Sequence, residues 1–240
     1  MIYSKLISSG SKKAAFALLV DPDKHTEYSI KDIACKAEKA GVDILFFGGS
    51  FVKSRIEQLL LELKRNTTIP VVLFPGNAIQ FTGTADAILL LSLISGRNPE
   101  YLIGNHVIVS HALKESGMEI IPTGYILIES GITTAVQYMS NTMAIPSHKV
   151  DLVVATALAG QQLGLKAIYL EAGSGAANPI PTEVIKEVRK NIDLPLIVGG
   201  GLRSPEQVAA AVEAGANTIV VGNVIEQSPE LLSQLVSATH

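Results

Sequence analysis

The chain has 240 residues, of which 48% are hydrophobic and 17% are charged, and its formal net charge is −3. This length and composition allow one sizeable buried core, so we expect residues 1–240 to form a single domain. Its 19 basic and 22 acidic residues are scattered and it has no tryptophan. We therefore expect no nucleic-acid partner, because nucleic-acid binding usually needs a basic stripe.

Membrane-spanning and secreted proteins are excluded by other features. No stretch approaches the roughly 18 apolar residues of a membrane span. Residues 1–10 show no basic segment followed by an apolar block, so we expect no secretory signal. The single cysteine, Cys35, cannot form an internal disulfide. We expect a cytoplasmic protein without a membrane span.

Apolar strands and helices alternate along the chain. The first strand is predicted at residues 14–20, and the helix after it has Thr26 as its N-cap and Gly41 at its end. Further strands are predicted at residues 42–47, 71–74, 87–94, 120–128, 167–170, 196–198 and 218–221. These strands are continuously apolar, which is typical of parallel strands buried on both faces.

Helix signals are clearest near the C-terminus. Ser204 is predicted as an N-cap, followed by Pro205 in the first turn and by Gln207 as the capping-box residue. Residues 228–230 are expected to open the final helix in the same way. By contrast, residues 74–86 are short and rich in glycine, proline and threonine, so we expect a degenerate third helix. Residues 130–149 give no clear prediction.

A weak internal repeat indicates the fold. Residues 40–48 and 214–222 share a helix-ending glycine, an apolar strand and a second glycine, and residues 163–171 follow this order more loosely. Eight such units fit the chain length, whereas an open doubly wound sheet usually has about six strands with longer crossovers. The sequence therefore predicts an α/β fold of the (βα)8 TIM-barrel type.

Glycines are concentrated after strands six, seven and eight, at residues 171–175, 199–201 and 222–223. Glycine allows backbone N–H groups to approach a phosphate closely, and the active site of a barrel lies at the C-terminal ends of its strands. A single glycine-rich loop would only turn the chain. Three adjacent loops favour a phosphate site.

Two acidic residues, Asp21 and Asp23, follow the first strand and flank Pro22. The proline disfavours a helical conformation of Asp21 and keeps this loop extended. Carboxylates here suit Mg²⁺, particularly when substrate phosphates complete its coordination. A turn-forming or helix-capping pair ahead of Thr26 is an equal alternative.

Glu171 is the third candidate. A carboxylate repels a nearby anion, so its position in a glycine-rich loop that is predicted to bind phosphate indicates a functional role. It can accept a hydrogen bond or a proton from a substrate hydroxyl; pairing with a lysine at the barrel rim is the alternative. Arg97, after strand four, is either a second phosphate contact or a solvated side chain. The histidines show no metal-ligand spacing, and no lysine ends a predicted strand, which argues against Schiff-base chemistry.

The strand ends resemble those of the geranylgeranylglyceryl phosphate synthase family, in order and over nearly the whole chain. The resembling segments are residues 19–24 (Leu-Val-Asp-Pro-Asp-Lys), 48–50, 169–175 (Tyr-Leu-Glu-Ala-Gly-Ser-Gly), 198–201 and 221–223. The block at 169–175 is specific to this family, whereas the shorter glycine segments occur in many phosphate-binding barrels.

The resemblance implies a Mg²⁺-dependent prenyltransferase. It would join a long prenyl group, with geranylgeranyl expected, from its diphosphate to the 3-hydroxyl of sn-glycerol 1-phosphate, which forms the first ether bond of an ether lipid. Asp21 and Ser50 would hold the Mg²⁺, and Glu171 would orient or deprotonate the attacking oxygen as the catalytic residue. The residues implied for sn-glycerol 1-phosphate are Tyr169, Leu170, Glu171, Ala172, Gly173, Ser174, Gly175, Gly200, Gly201, Gly222 and Asn223.

The chain departs from part of this family at Leu19, where some relatives carry a lysine. Any charge that this lysine gives to the phosphate would come here from Lys24 or Arg97, or be absent. The Leu19 branch implies a homo-oligomer, a dimer or a hexamer, and a lipid product implies transient membrane contact. The aromatic candidates for an apolar prenyl groove are Phe47, Phe51, Phe74, Phe81, Tyr101 and Tyr125.

Two alternative functions stay open on the sequence. The first is a sugar-phosphate isomerase or synthase on a phosphate-binding barrel, which needs one phosphate site and no prenyl donor. The second is a non-catalytic phosphate-binding barrel, in which Asp21 has no role in turnover.

Overall fold

The computed structural model describes residues 1–7, 14–54 and 56–240. Part of the segment in which we expect no secretory signal, residues 8–10, lies outside the described residues. The centre is a closed barrel of parallel strands in which each strand pairs with the next and the last pairs with the first. The strands are β1 (Ala15–Val20), β2 (Ile44–Phe47), β3 (Val71–Leu73), β4 (Ala87–Leu93), β5 (Glu119–Leu127), β6 (Ala167–Glu171), β7 (Leu196–Gly199) and β8 (Thr218–Val221). The predicted (βα)8 barrel is confirmed.

Helices surround the barrel on the outside and join most of its strands. They are α1 (Tyr3–Leu6), α2 (Glu27–Ala40), α3 (Ile56–Arg65), α4 (Asn105–Ser116), α5 (Ala135–Ser140), α6 (Val150–Gln162), α7 (Thr182–Asn191), α8 (Pro205–Glu213), α9 (Asn223–Gln227) and α10 (Leu232–Ser237). None of the helices in the described part of the chain is both long enough and apolar enough to cross a lipid bilayer.

Helix α2 begins and ends where its sequence signals predict. The Thr26 side chain accepts a hydrogen bond from the Ser29 backbone N–H, and the Ser29 hydroxyl accepts one from the Thr26 N–H. Gly41 ends the helix in the left-handed conformation, with φ of 78°. These two residues satisfy backbone groups that the helix leaves unpaired.

The two C-terminal helix starts differ from their predictions in detail. Ser204 caps α8 by accepting from the Gln207 N–H, as expected, but the Gln207 side chain accepts from the N–H of Arg203, one residue earlier than in a capping box. Ser228 holds the N-cap position of the final helical segment and Pro229 lies in its first turn, as predicted, but the Ser228 side chain makes no capping bond. The segment begins as a short 3₁₀ helix (Pro229–Leu231) that leads directly into α10.

The third helix is degenerate, as predicted. Only a 3₁₀ turn (Ala78–Gln80) lies between β3 and β4. Because no full helix covers this side of the barrel, Leu90 on β4 is only half-buried. The unassigned segment 130–149 contains the short helix α5, and Ile145 pairs with Ile128 at the end of β5.

The barrel is closed at the end opposite the carboxyl ends of its strands. Leu6 of α1 is fully buried and packs among the side chains that fill the barrel interior. The Thr218 hydroxyl donates to the Leu6 carbonyl at 2.9 Å, and the Glu119 carboxylate accepts from the Tyr3 N–H at 3.0 Å. The other end of the barrel stays open, and it carries the candidate site.

Candidate active site

The predicted site residues meet in a polar pocket of about 1550 Å³ at the open end of the barrel. Those that line it are Asp21, Ser50, Tyr169, Glu171, Gly173, Ser174, Gly175, Gly200, Gly201, Gly222 and Asn223. The side chains of Leu170 and Ala172 do not line it, because they face the buried layer between the barrel and its helices.

Two glycines at the end of β7, Gly199 and Gly200, make room for neighbouring side chains. A Cβ atom on Gly199 would lie 2.3 Å from the Tyr169 hydroxyl, and one on Gly200 would lie 2.5 Å from Glu171 Oε1. Gly200 also has a φ of +83°, which favours glycine. This loop therefore accommodates a buried tyrosine and a buried carboxylate, a role beyond the predicted approach of backbone to phosphate.

Glu171 ends β6 and is 5% exposed. Its Oε1 accepts a hydrogen bond from the Gly173 N–H at 2.6 Å. Burial raises the pKa of this carboxyl group above its ordinary value, although hydrogen bonds from Gly173, Tyr169 and Tyr125 act in the opposite direction. The expected alternative, a pair with a rim lysine, does not occur among the ion pairs of the described residues. A buried carboxyl group with a raised pKa suits proton transfer.

The two acidic residues after β1 have different environments. The Asp23 carboxylate accepts from the backbone N–H groups of Lys53 and Ser54, at 3.0 and 2.7 Å, and so anchors the loop after β2. Burial raises the pKa of Asp23, but these hydrogen bonds outweigh burial and hold it below its ordinary value. Asp23 thus stabilises a neighbouring loop, a role that neither the metal-binding nor the turn-forming alternative included. Asp21 lines the pocket, and its Oδ1 accepts from the Asp23 N–H at 3.0 Å.

Asp21 and Ser50 follow neighbouring strands, β1 and β2. Gly49 lies between them, since a Cβ there would be 3.7 Å from Asp21 Cγ. A carboxylate and a hydroxyl are the hard oxygen ligands that Mg²⁺ accepts when phosphates and waters complete its coordination. In the described part of the chain, no three His, Cys, Asp or Glu side chains gather as a metal cluster. Asp21 and Ser50 therefore suit a Mg²⁺ ion whose other ligands come from a bound phosphate group and from water.

Of the two cations considered as substitutes for the family's lysine, only Lys24 reaches the site. Its Nζ donates to Asn223 Oδ1 at 3.1 Å and lies 3.9 Å from Asp21 Oδ2. Arg97 lines neither the polar pocket nor the groove described below, and its guanidinium donates to the Gly96 carbonyl at 2.7 Å. Leu19 lies beside Gly222, since a Cβ atom on that glycine would be 3.3 Å from Leu19 Cβ.

Two charged residues of the pocket, Arg203 and Glu226, were not predicted from the sequence. Arg203 lines it, with a guanidinium that donates to the carbonyls of Ala176 and Ala177. The sequence feature that could have indicated Arg203 is its position two residues after the last glycine of the run 199–201. Glu226 lies one helical turn after Asn223, a spacing that brings both side chains to one face of α9.

Ser174 and Asn223 join the loops after β6 and β8. The Asn223 side-chain amide donates to Ser174 Oγ at 3.0 Å, and the serine hydroxyl lies 3.3 Å from Asn223 Oδ1. Both side chains are exposed to the pocket and present hydroxyl and amide groups that can bind an anion.

An apolar groove of about 780 Å³ opens beside the pocket, where the third helix is degenerate. Four of the six aromatic candidates line it: Phe74, Phe81, Tyr101 and Tyr125. Phe51 lines the polar pocket instead. The prediction for Phe47 is wrong, because its side chain points outward from β2 and is fully buried under the helices.

The groove and the pocket share four lining residues, Gly49, Ser50, Phe74 and Tyr125. The two cavities therefore meet. A ligand with a polar head and a long apolar tail can place its head in the pocket and its tail in the groove.

Comparisons with known proteins agree with this geometry. The family model described as the PcrB family matches residues 10–240. A geranylgeranylglyceryl phosphate synthase from Chitinophaga pinensis is 46% identical, over all of this chain and 96% of the relative. Two solved structures superpose closely: wild-type GGGPS from Thermoplasma volcanium and the (S)-3-O-geranylgeranylglyceryl phosphate synthase from Thermoplasma acidophilum in complex with its substrate sn-glycerol-1-phosphate.

The first structure has a TM-score of 0.92 and 33% identity, and covers 100% of this chain and 97% of its own. The second has a TM-score of 0.91 and 31% identity, with coverage of 99% and 96%. Similarity at this level over the full length extends beyond a shared barrel fold. The chain therefore belongs to the PcrB family, the geranylgeranylglyceryl phosphate synthase family that its strand ends resemble.

Proposed function

We propose that this protein transfers a geranylgeranyl group from its diphosphate to the 3-hydroxyl of sn-glycerol 1-phosphate and thereby forms the first ether bond of an ether lipid. The observation that carries this proposal is the meeting of a polar pocket with an apolar groove. A sugar phosphate would use only the pocket and leave the groove without a ligand. The names of the relatives support the same reaction.

The acceptor binds at the ends of β6, β7 and β8. Backbone N–H groups of the glycine-rich loops, together with Ser174 and Asn223, receive its phosphate. Lys24 adds a positive charge through its contact with Asn223. The complex of the Thermoplasma acidophilum relative with sn-glycerol-1-phosphate supports this choice of acceptor.

The donor places its diphosphate near Asp21 and Ser50, with its prenyl chain in the groove. Among the described residues, the pocket is lined by the carboxylates of Asp21, Glu171 and Glu226 and by one guanidinium, that of Arg203. Two anionic substrates in such a pocket need additional positive charge, which supports a requirement for Mg²⁺. When bound, this ion would neutralise the diphosphate as it leaves.

The remaining chemistry is assigned to Glu171 and the groove. The acceptor oxygen forms a C–O bond to the first prenyl carbon, the bond from that carbon to the diphosphate breaks, and Glu171 takes the hydroxyl proton. The groove side chains exclude water, which would otherwise hydrolyse a carbon that carries developing positive charge.

We also propose that residues 1–240 form one domain, and that the protein works in the cytoplasm as a homo-oligomer, either a dimer or a hexamer. Exposed apolar side chains near the groove, among them Ile79, Val107 and Ile108, support contact with a second copy or transient contact with a membrane. Light scattering after size exclusion tests the oligomer, and flotation with vesicles tests the membrane contact.

The reaction is tested by incubating the protein with labelled sn-glycerol 1-phosphate and geranylgeranyl diphosphate, with Mg²⁺ or with EDTA. We expect an ether-linked prenylglyceryl phosphate by mass spectrometry only when Mg²⁺ is present. sn-Glycerol 3-phosphate serves as the stereochemical control. Absence of any ether product would contradict the proposed reaction, and equal product in EDTA would contradict the metal requirement alone.

A further inference from the structure

Two tyrosines face Glu171 inside the barrel. Tyr125 of β5 and Tyr169 of β6 are register partners in the sheet, and Glu171 follows Tyr169 by two residues. Because side chains two apart on a strand point to the same face, Tyr169 and Glu171 both point inward. All three side chains line the polar pocket.

The hydroxyls and the carboxylate are packed closely together. The two tyrosine rings have centroids 5.1 Å apart. The spaces above the adjacent glycines Gly199 and Gly200 hold the Tyr169 hydroxyl and Glu171 Oε1. Burial, and after it the nearby Glu171 carboxylate, raises the pKa of each tyrosine hydroxyl well above its ordinary value, so both hydroxyls lie close to that carboxylate. They therefore stay protonated and act as donors.

The two tyrosines differ in what else they contact. Tyr169 is fully buried and lines only the polar pocket. Tyr125 lines the pocket and the groove, as do Gly49, Ser50 and Phe74. Of these four shared residues, only Tyr125 has a hydrogen bond to Glu171. It thus lies where the acceptor hydroxyl and the first prenyl carbon must meet.

We propose that Tyr125 is a positioning residue, whose hydroxyl holds the Glu171 carboxylate toward the acceptor hydroxyl at the junction of pocket and groove. This inference rests on the proposed function. A buried carboxylate without a cation partner depends on hydrogen-bond donors to keep one orientation. The Gly173 N–H donates to Oε1, and the hydroxyls of Tyr169 and Tyr125 are the side-chain donors that act on the carboxyl group.

Tyr125→Phe removes the hydroxyl and keeps the ring that packs against Phe74 and Tyr169. We expect kcat to fall roughly 10-fold to 100-fold, as for the loss of one hydrogen bond to a charged group, with each KM within about 2-fold. Tyr3→Phe is the matched control, because the Tyr3 hydroxyl donates to the Lys166 carbonyl at the closed end of the barrel, away from the pocket and the groove. It should leave kcat unchanged.

A double-mutant cycle separates positioning from a general structural effect. In a Glu171→Gln background, Tyr125→Phe should lower the residual turnover no further, because Tyr125 acts through the carboxylate. Circular dichroism spectra of all variants show whether the barrel is intact. If Tyr125→Phe keeps full kcat, or lowers it by the same factor in both backgrounds, the inference is overturned.

A carboxyl ¹³C NMR titration of Glu171 gives a readout without turnover. The tyrosine hydroxyls lower the pKa of Glu171, so Tyr125→Phe should raise it, and Tyr3→Phe should not. The other charged groups of the pocket, Asp21, Glu226 and Arg203, are the same in both variants. A wild-type protein that makes no ether product would defeat the proposed function. An unshifted Glu171 pKa in Tyr125→Phe would defeat this inference separately.

Discussion

The ammonium group of Lys24 lies 2.6 Å from a carboxylate oxygen of Glu226, which joins the loop after β1 to α9, the helix that follows the neighbouring strand β8. Glu226 thereby holds Lys24 in the position from which it also donates to Asn223. A carboxylate in an anion-binding pocket is explained if its function is to orient a cation.

Replacement of Lys24 by methionine should weaken acceptor binding. We expect the KM for sn-glycerol 1-phosphate to rise roughly 10-fold, the effect of losing one charged hydrogen bond of about 1.5 kcal/mol. The increase should shrink at high salt, because Lys24 is partly exposed and salt screens its charge. Steady-state kinetics at two salt concentrations measure both. Arg97→Met is the matched control, and an equal rise in that variant would rule out a specific role for Lys24.

Asp21→Asn should lower kcat by roughly 100-fold or more while the barrel stays folded, since it removes the proposed carboxylate ligand of Mg²⁺. Asp23→Asn should instead lower the free energy of unfolding by about 1–3 kcal/mol, because it weakens the anchor of Lys53 and Ser54. Mg²⁺ titrations of kcat and urea unfolding distinguish the two. Identical Mg²⁺ dependence in both variants would remove Asp21 from the metal site.

Glu171→Gln keeps the shape of the side chain and removes the proton acceptor. We expect kcat to fall roughly 100-fold to 10,000-fold, the range for loss of a general base. The far-ultraviolet circular dichroism spectrum should not change. An unaltered kcat/KM would exclude Glu171 from the chemistry.

The raised pKa of Glu171 also predicts how stability depends on pH. A group with a higher pKa in the folded state than in the unfolded state binds protons more tightly when folded. Its contribution to stability is therefore complete below its unfolded value, near 4.5, and is lost as pH rises through the folded pKa. The free energy of unfolding of the wild type, relative to Glu171→Gln, should fall over that window in urea titrations. A pH-independent difference would contradict the raised pKa.

Two glycine variants separate backbone strain from loss of space. Gly41→Ala should cost about 1–2 kcal/mol of stability, because φ is positive there and a Cβ meets nothing within 4 Å. Gly200→Ala has the same strain and also places Cβ 2.5 Å from Glu171 Oε1. It should destabilise the protein further and lower kcat, whereas Gly41→Ala should not affect kcat. Urea unfolding and kinetics of both variants are the measurements, and equal effects would argue against crowding at Glu171.

Local signals in the sequence sufficed for the two ends of α2 and for the order of the strands. Thr26 and Gly41 set the ends of α2 through their own backbone neighbours, so the prediction needed no distant contact. The function of Asp23 could not be predicted in this way, because its partners, the N–H groups of Lys53 and Ser54, come from another loop.

The sequence also did not show which strand side chains point into the barrel and which point outward. In a strand that is apolar at every position, nothing local shows which residues point into the barrel, so Phe47 was grouped with Phe74 although they face opposite layers. Arg203 was missed for a similar reason. Its proximity to the pocket depends on how the loops after β6 and β7 pack, and its guanidinium is held by the carbonyls of Ala176 and Ala177.

Under the proposed function, the missing helix between the paired strands β3 and β4 gives the two substrates separate routes to the reacting centre. A small acceptor would enter along the barrel axis, whereas a long hydrocarbon donor would lie across the flank, where only the turn Ala78–Gln80 intervenes. Neither ligand then blocks the path of the other. Binding in either order follows, and initial-rate patterns with both concentrations varied should intersect without obligatory order.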